Sequence, residues 1–297
     1  MKIFYCDTFV LPLPPGHRFP MEKYRLLRER VAAEGLGTLA VPEAAADAAL
    51  LRVHDAGYLA RVTSGTLARD EVRRIGFPWS PELVERSRRS VGGTIGAALA
   101  ALADGAAANL AGGTHHAFAD RGEGFCVFND AAVAIRALQA TGRIHRAAVL
   151  DLDVHQGNGT AALFREDPRV FTASVHGERN FPFHKEAGDL DLPLPDGAGD
   201  DAYLDAVGTA VRAVVDAGRP ELVVYIAGAD PFSGDRLGRL GVSREGLAHR
   251  DRIVTTALGS AGIPLAVVMG GGYARDVADT VEIHLHAVRA AALLARS

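Results

Sequence analysis

Cysteine is scarce in this chain: Cys6 and Cys126 are the whole complement, far apart and in unrelated sequence contexts. Two such residues supply neither a disulfide framework nor a Cys-rich zinc site, and the expected setting is a reducing cytoplasm. An excess of positive charge is lacking as well. Lys plus Arg number 32 against 36 Asp plus Glu, a formal charge of -4, which leaves no basic footprint for a phosphate backbone and argues against nucleic acid as a direct partner. The run Arg86, Arg88 and Arg89 reads as a solvated helix face. No apolar stretch is long enough to cross a bilayer. The alanine-rich residues 94–112 are broken by Asp104, Gly105 and Asn109, and are expected to form a buried helix ending near Gly105, followed by a loop. The opening MKIFYCDTFVLPLPPG has no long apolar core or cleavage site, so no export is expected. Repeats, low-complexity tracts and Ser/Gly linkers are absent too. A chain of 297 residues with 48% hydrophobic content is therefore expected to form a single domain over residues 1–297.

What is present is an alternation of two periodicities. Residues 147–152, 170–175, 222–227 and 264–269 are continuous apolar runs rich in β-branched residues and bounded by polar or Gly-containing turns, as in strands buried on both faces. Residues 130–139, 202–217 and 244–257 carry apolar positions at helical spacing. Alternating strands and helices predict an α/β fold with a parallel sheet covered on both sides. Polar chemistry follows each strand: Asp153 and His155, then His176, then Asp230, then Gly270 to Tyr273. In open parallel sheets ligands bind beyond the carboxyl ends of strands, so these residues are expected to converge.

In Asp151-Leu-Asp153-Val-His155 two carboxylates and an imidazole alternate along an apolar strand. They would share one face while the chain stays extended, and burying them together calls for a cation. Asp153 and His155 offer an oxygen and a nitrogen ligand, and a third must come from elsewhere to leave an open position on a catalytic metal. Asp230 is the candidate, although with Pro231 following it the residue reads equally well as a helix cap. His115 and His116 are adjacent on a glycine-rich loop ahead of an expected helix and suit acid/base work near neutrality. Tyr273 follows three glycines, where its hydroxyl would donate to a developing oxyanion; a tyrosine packed beside a tight turn is the alternative. Phe125 and Phe181, each taken alone, are ordinary core residues.

Taken together and in order, GGTHHAF, GFCVFND, VLDLDVHQGNGT, SVHGERNF, GADPFSGDRLG and GGGY, spread over residues 112–273, resemble the histone deacetylase and acetylpolyamine amidohydrolase superfamily. The resemblance implies a single-domain, arginase-like α/β fold with about eight mostly parallel strands flanked by helices. It implies an amidohydrolase acting on N-acyl-lysine or another N-acylated amine through Zn2+, with Fe2+ as the other metal this donor set accepts. Asp153, His155 and Asp230 would hold the metal. His116 would be general base and then acid toward the leaving amine, oriented by Asn158; His115, oriented by Asp151, would give electrostatic support; Tyr273 would stabilise the tetrahedral oxyanion. Some relatives carry an aspartate at the position of Asn158, and the neutral amide makes His116 less basic. Phe125 and Phe181, with Gly124 and Gly271 beside them, match the walls of an acyl-lysine channel. A structural K+ is implied at Asp151, Asp153, His155, Ser174 and Val175.

The runs at residues 177–183 and 234–240 most resemble the class IV branch and its bacterial-type relatives. No appended regulatory module is expected, and the state is a monomer or a simple homo-oligomer. Two other readings carry distinct signatures. An arginase-like ureohydrolase requires a dinuclear manganese site with further ligands, and a catalytically silent sensor would bind acylated ligands without turnover. Acyl specificity rests on residues 12–20, 74–81 and 176–186, which surround the expected pocket mouth.

Overall fold

A computed structural model describes residues 1–295. Among them are eight strands: β1 (Lys2–Phe4), β2 (Thr38–Ala40), β3 (Ala106–Asn109), β4 (Ala147–Asp151), β5 (Val170–Gly177), β6 (Leu190–Leu194), β7 (Val223–Ile226) and β8 (Leu265–Val268). Ten helices connect them: α1 (Glu22–Ala33), α2 (Asp47–Leu50), α3 (Ala56–Ser64), α4 (Arg69–Ile75), α5 (Pro81–Asp104), α6 (Asp130–Ala140), α7 (Asn158–Phe164), α8 (Asp200–Asp216), α9 (Arg244–Ser260) and α10 (Val277–Leu294). All strands pair in parallel in one sheet of order β2-β1-β3-β8-β7-β4-β5-β6.

The central strands are apolar on both faces because both faces are covered. Val223, Tyr225, Leu265 and Val267 point to one layer, formed with α1, α8, α9 and α10. Their neighbours Val224, Ile226, Ala266 and Val268 point to the other, against α5, α6 and α7. Side chains cap several helix starts. Ser80 Oγ accepts from Leu83 N at 3.1 Å ahead of Pro81, and Asn129 Oδ1 accepts from Ala132 N at 3.0 Å, each contributing about 1 kcal/mol. A third cluster, including Leu50, Tyr58, Ile75, Phe77 and Phe128, carries α3 and α4 to one flank of the sheet's carboxyl end. No helix is long and apolar enough to cross a membrane among the described residues.

Three expectations are corrected. The loop expected after Gly105 is β3, a fully buried strand between β1 and β8. Ala106 to Ala108 have the small side chains that let α5 lie close over the strand, so packing overrides alanine's helical preference. Arg86 does not lie on a solvated face: it is 8% exposed, donates to Cys6 O at 2.8 Å and Phe9 O at 3.1 Å, and stacks on Tyr24. No helix starts at Pro231, so Asp230 caps nothing and its carboxylate is free for another role.

Candidate active site

Four neighbouring strands, β3, β8, β7 and β4, deliver the polar residues to one end of the sheet. The turn after β4 carries Asp153 and His155, the segment after β7 carries Asp230, the segment after β8 carries Gly270 to Tyr273, and the loop after β3 carries His115 and His116. Helix α6 does not follow the histidine pair directly; it begins at Asp130. Asp130 instead binds the loop that holds the pair, accepting from Thr114 N at 2.7 Å and Gly113 N at 3.2 Å.

Asp153, His155 and Asp230 bring one donor atom each to within 4.8 Å of one another, the one group of this kind among the described residues. Asp153 and Asp230 are buried, while His155 keeps 12% of its side chain exposed. His155 Nδ1 lies 2.9 Å from Asp153 Oδ1 and 3.2 Å from Asp230 Oδ2. Asp230 Oδ1 accepts from Val154 N at 2.9 Å, but no donor is aligned on its buried Oδ2. Burial, then the Asp153 charge, pushes Asp230 up to about 7. Burial alone would lower His155, but Asp153 and Asp230 carry it up to about 10. Both shifts express one deficit: two desolvated carboxylates face a single positive charge. Gly271 is obligatory beside them, because a Cβ there would lie 1.9 Å from Asp230 Oδ2.

The two histidines are shifted in opposite directions. His115 Nδ1 meets Asp151 Oδ2 at 2.6 Å. Burial lowers His115, but Asp151 and Asp153 outweigh it and raise the ring to about 9. His116 Nδ1 meets Asn158 Oδ1 at 2.7 Å, and Asn158 Nδ2 donates to Glu123 Oε1 at 2.6 Å. Because the amide nitrogen is committed to Glu123, its oxygen faces His116; Nδ1 therefore carries the proton and Nε2 presents a lone pair. Burial, then His115 and His155, holds His116 well below its ordinary value. The two imidazoles, shifted in opposite directions, stand side by side with ring centroids 4.1 Å apart.

Tyr273 is 8% exposed, and its backbone N–H donates to Asp235 Oδ2 at 2.6 Å. Burial, then Asp230 and Asp153, pushes its phenol well above 10, so the hydroxyl remains a donor. A cavity of about 450 Å³ opens over these groups, lined by His116, Gly124, Phe125, His155, Phe181 and Tyr273 among others. Phe181 stands edge-on to His116 at 4.9 Å. Gly124, at φ 57°, lets the wall approach: a Cβ would meet His116 Cδ2 at 2.6 Å. Phe125 follows it at φ 67°, held there by Phe125 N donating to Ile75 O at 2.7 Å. The Histone deacetylase domain description matches residues 17–288.

This chain belongs to the histone deacetylase family.

Its relatives within the family include an uncharacterized protein of Picosynechococcus sp., 45% identical with 97% of each chain covered. Histone deacetylase 2 of Arabidopsis thaliana is 35% identical over 95% of this chain and 78% of its own. The histone deacetylase-like amidohydrolase of Pseudomonas aeruginosa is 34% identical over 88% and 74%. The crystal structure of the HDA15 HD domain shares the fold, with a TM-score of 0.81 at 22% identity, covering 97% of this chain and 90% of that one.

Three residues that touch the site had no role assigned from the sequence, although Asp235 lies within one of the motifs. Glu123 fastens Asn158. Lys23, from α1, is buried with Nζ 3.3 Å from Gly272 O and 5.3 Å from the Tyr273 ring centre; desolvation, opposed by Asp230 and Asp153, lowers it to about 8. Asp235 also accepts from Leu237 N at 2.7 Å and Gly238 N at 2.9 Å. Glu123 had a signal in its place within the motif region, one residue before Gly124. Lys23 had none, since a lysine in an amphipathic helix ordinarily faces water.

Proposed function

We propose that this family member is a metal-dependent deacylase that hydrolyses the amide of an N-acyl-lysine or another N-acylated amine. The observation that carries the reading is the buried group Asp153, His155 and Asp230 with an orphaned carboxylate oxygen, beside an oriented histidine pair. Two carboxylates and an imidazole suit Zn2+ and also Fe2+, and the missing positive charge is what a divalent ion provides. When bound, such an ion polarises the amide carbonyl and acidifies water. These three residues would hold it.

The other roles belong to the chain's own groups. His116, neutral and with Nε2 free, takes a proton from the attacking water at that atom and gives it to the amine nitrogen as the acyl C–N bond breaks. Asn158, held by Glu123, keeps the ring in that tautomer. His115, kept positive by Asp151, supplies fixed charge next to the developing oxyanion. Tyr273 donates its hydroxyl to that oxygen, in a site closed enough to strengthen the bond. Phe125 and Phe181, with Gly124 and Gly271 allowing close approach, wall the extended acyl-amine stem and exclude water. A K+ beside Asp151 and Ser174, neighbours across the β4–β5 ladder, would brace the loop through Asp153, His155 and Val175. Two free, buried cysteines suit a reducing cytoplasm.

The test is amine release from acetyl-, trifluoroacetyl-, octanoyl- and myristoyl-lysine peptides by zinc-, iron- or cobalt-loaded protein, with Asp153→Ala as control. Hydrolysis that vanishes in the control is expected. Inactivity with every metal and acyl group would contradict the reading.

A further inference from the structure

The cavity mouth is lined by five arginines, Arg18, Arg73, Arg74, Arg179 and Arg239, against one carboxylate, Glu123. This concentration stands out in a chain whose formal charge is -4. Glu123 is already engaged by Asn158. Arg74 pairs with Asp70 at 3.4 Å and Arg239 with Asp196 at 3.2 Å, both exposed. Arg18, Arg73 and Arg179 have no carboxylate partner among the described residues, and all five side chains are exposed at the opening.

Basic residues in the last turn of α4 complement its dipole, which accounts for Arg73 and Arg74 but not for the convergence. The five arise from four segments, bonded in two sets around the opening. His17 Nε2 lies 3.0 Å from Gly76 O, fixing the segment of Arg18 to the end of α4. Gly124 N donates to Arg74 O at 3.1 Å, fixing α4 to the Gly124–Phe125 wall. Buried Asn180 donates to Leu237 O at 2.8 Å and accepts from Arg239 N at 3.2 Å, joining the segments of Arg179 and Arg239. Arg18 also lies over the Phe125 ring, 5.6 Å from its centre. A collar of guanidiniums above a low-dielectric cleft focuses positive potential on whatever flanks the acylated nitrogen.

Resting on the deacylase reading, we infer that the preferred substrate is an acylated amine flanked by carboxylates. Acetylpolyamines, and acyl-lysines set among other lysines and arginines, meet like charge at the mouth and are disfavoured. The shared chemistry is a carboxylate within reach of Arg18, Arg73 and Arg179, supplied either by acidic side chains of a peptide or by the free carboxylate of a small acyl amino acid.

The experiment compares kcat/KM of the metal-loaded protein for one acetyl-lysine peptide with Asp/Glu, Ala or Lys/Arg neighbours, for free Nε-acetyl-lysine and for an acetylpolyamine. Direct binding of the same compounds is measured by calorimetry. Exposed ion pairs contribute about two- to fivefold each, so three give roughly ten- to hundredfold preference for the acidic peptide over the alanine one, carried by KM. The preference should shrink in 1 M salt, where screening acts within about 3 Å. In Arg18→Gln/Arg73→Gln/Arg179→Gln, checked for unchanged melting, the acidic and alanine peptides should converge; the triple Glu variant should favour the basic peptide. A free acetyl-lysine preferred over the acidic peptide would assign the collar to small substrates. Turnover with equal or basic preference would overturn this inference and leave the deacylase reading intact. Acid-selective binding without turnover of any compound would support the collar and overturn the deacylase reading. Neither turnover nor acid-selective binding would overturn both.

Discussion

At the floor of the site, Asp153 and Asp230 are fully buried, both histidines are locked by a second residue, and a glycine stands where any Cβ would strike a carboxylate. At the mouth, arginines on bonded loops and on the last turn of α4 reach into water, and three of them have no ion-pair partner among the described residues. The floor is tightly held: apart from the orphaned Asp230 Oδ2, its carboxylates and histidines are oriented by burial and hydrogen bonds, so its chemistry tolerates little change. The mouth is fixed in backbone but open in charge, so it sets which substrates enter without altering the chemistry. Single substitutions should therefore have effects that fall steeply from floor to mouth.

The largest effect belongs to the carboxylates. Asp230→Ala is expected to abolish metal retention through desalting, measured by elemental analysis, and turnover with it. Next come His116→Ala, which should lower kcat by about 10²- to 10⁴-fold, and Tyr273→Phe, by about 10²- to 10³-fold. Both should retain metal, and unchanged kinetics in either would remove its role. Glu123→Gln touches the floor at one remove, through Asn158, and should lower kcat/KM by roughly tenfold, with the effect in kcat rather than KM. Equal loss of kcat and melting temperature would make Glu123 merely structural.

The last effect falls on stability and leaves the chemistry of the site untouched. His54 is buried away from the site, with Nδ1 2.9 Å from Phe118 O and Nε2 accepting from Asn129 N at 3.0 Å. Both nitrogens are satisfied only in the neutral ring. Burial, partly offset by backbone bonds from Phe118 and Ala119, lowers it to about 4; burial lowers His176 to about 4 as well. The unfolded chain takes up these protons first, so the stability present above about pH 6.5 is lost as pH falls toward 4, by up to about 3 kcal/mol for each ring. Urea denaturation across this window should show the slope, and His54→Gln should flatten it. A slope unchanged by that substitution would assign the loss to other groups.

The central strands and the cluster of Asp153, His155 and Asp230 were legible because continuous β-branched runs end in polar side chains, a pattern burial alone does not favour. The edges were less so. β1 and β2 are three residues each, too short for a period to show, and β6 alternates Leu190, Leu192 and Leu194 with polar positions but carries Pro193 within the run, which speaks against a strand. β3 carries no β-branched residue and reads as the tail of the alanine-rich helix before it. The pairing of His115 with Asp151 and of His116 with Asn158 followed from family resemblance. Glu123, Lys23 and the arginine collar depend on loops brought together by backbone hydrogen bonds across long sequence separations, which no local pattern encodes.

The most direct test of the account is a titration of metal-stripped protein with zinc, following hydrolysis of an acyl-lysine peptide at each addition. Amine release should rise linearly and saturate at one equivalent, as the proposed single group of three ligands requires. Saturation at two equivalents, with urea rather than peptide amine as the product of the competent substrate, would contradict it.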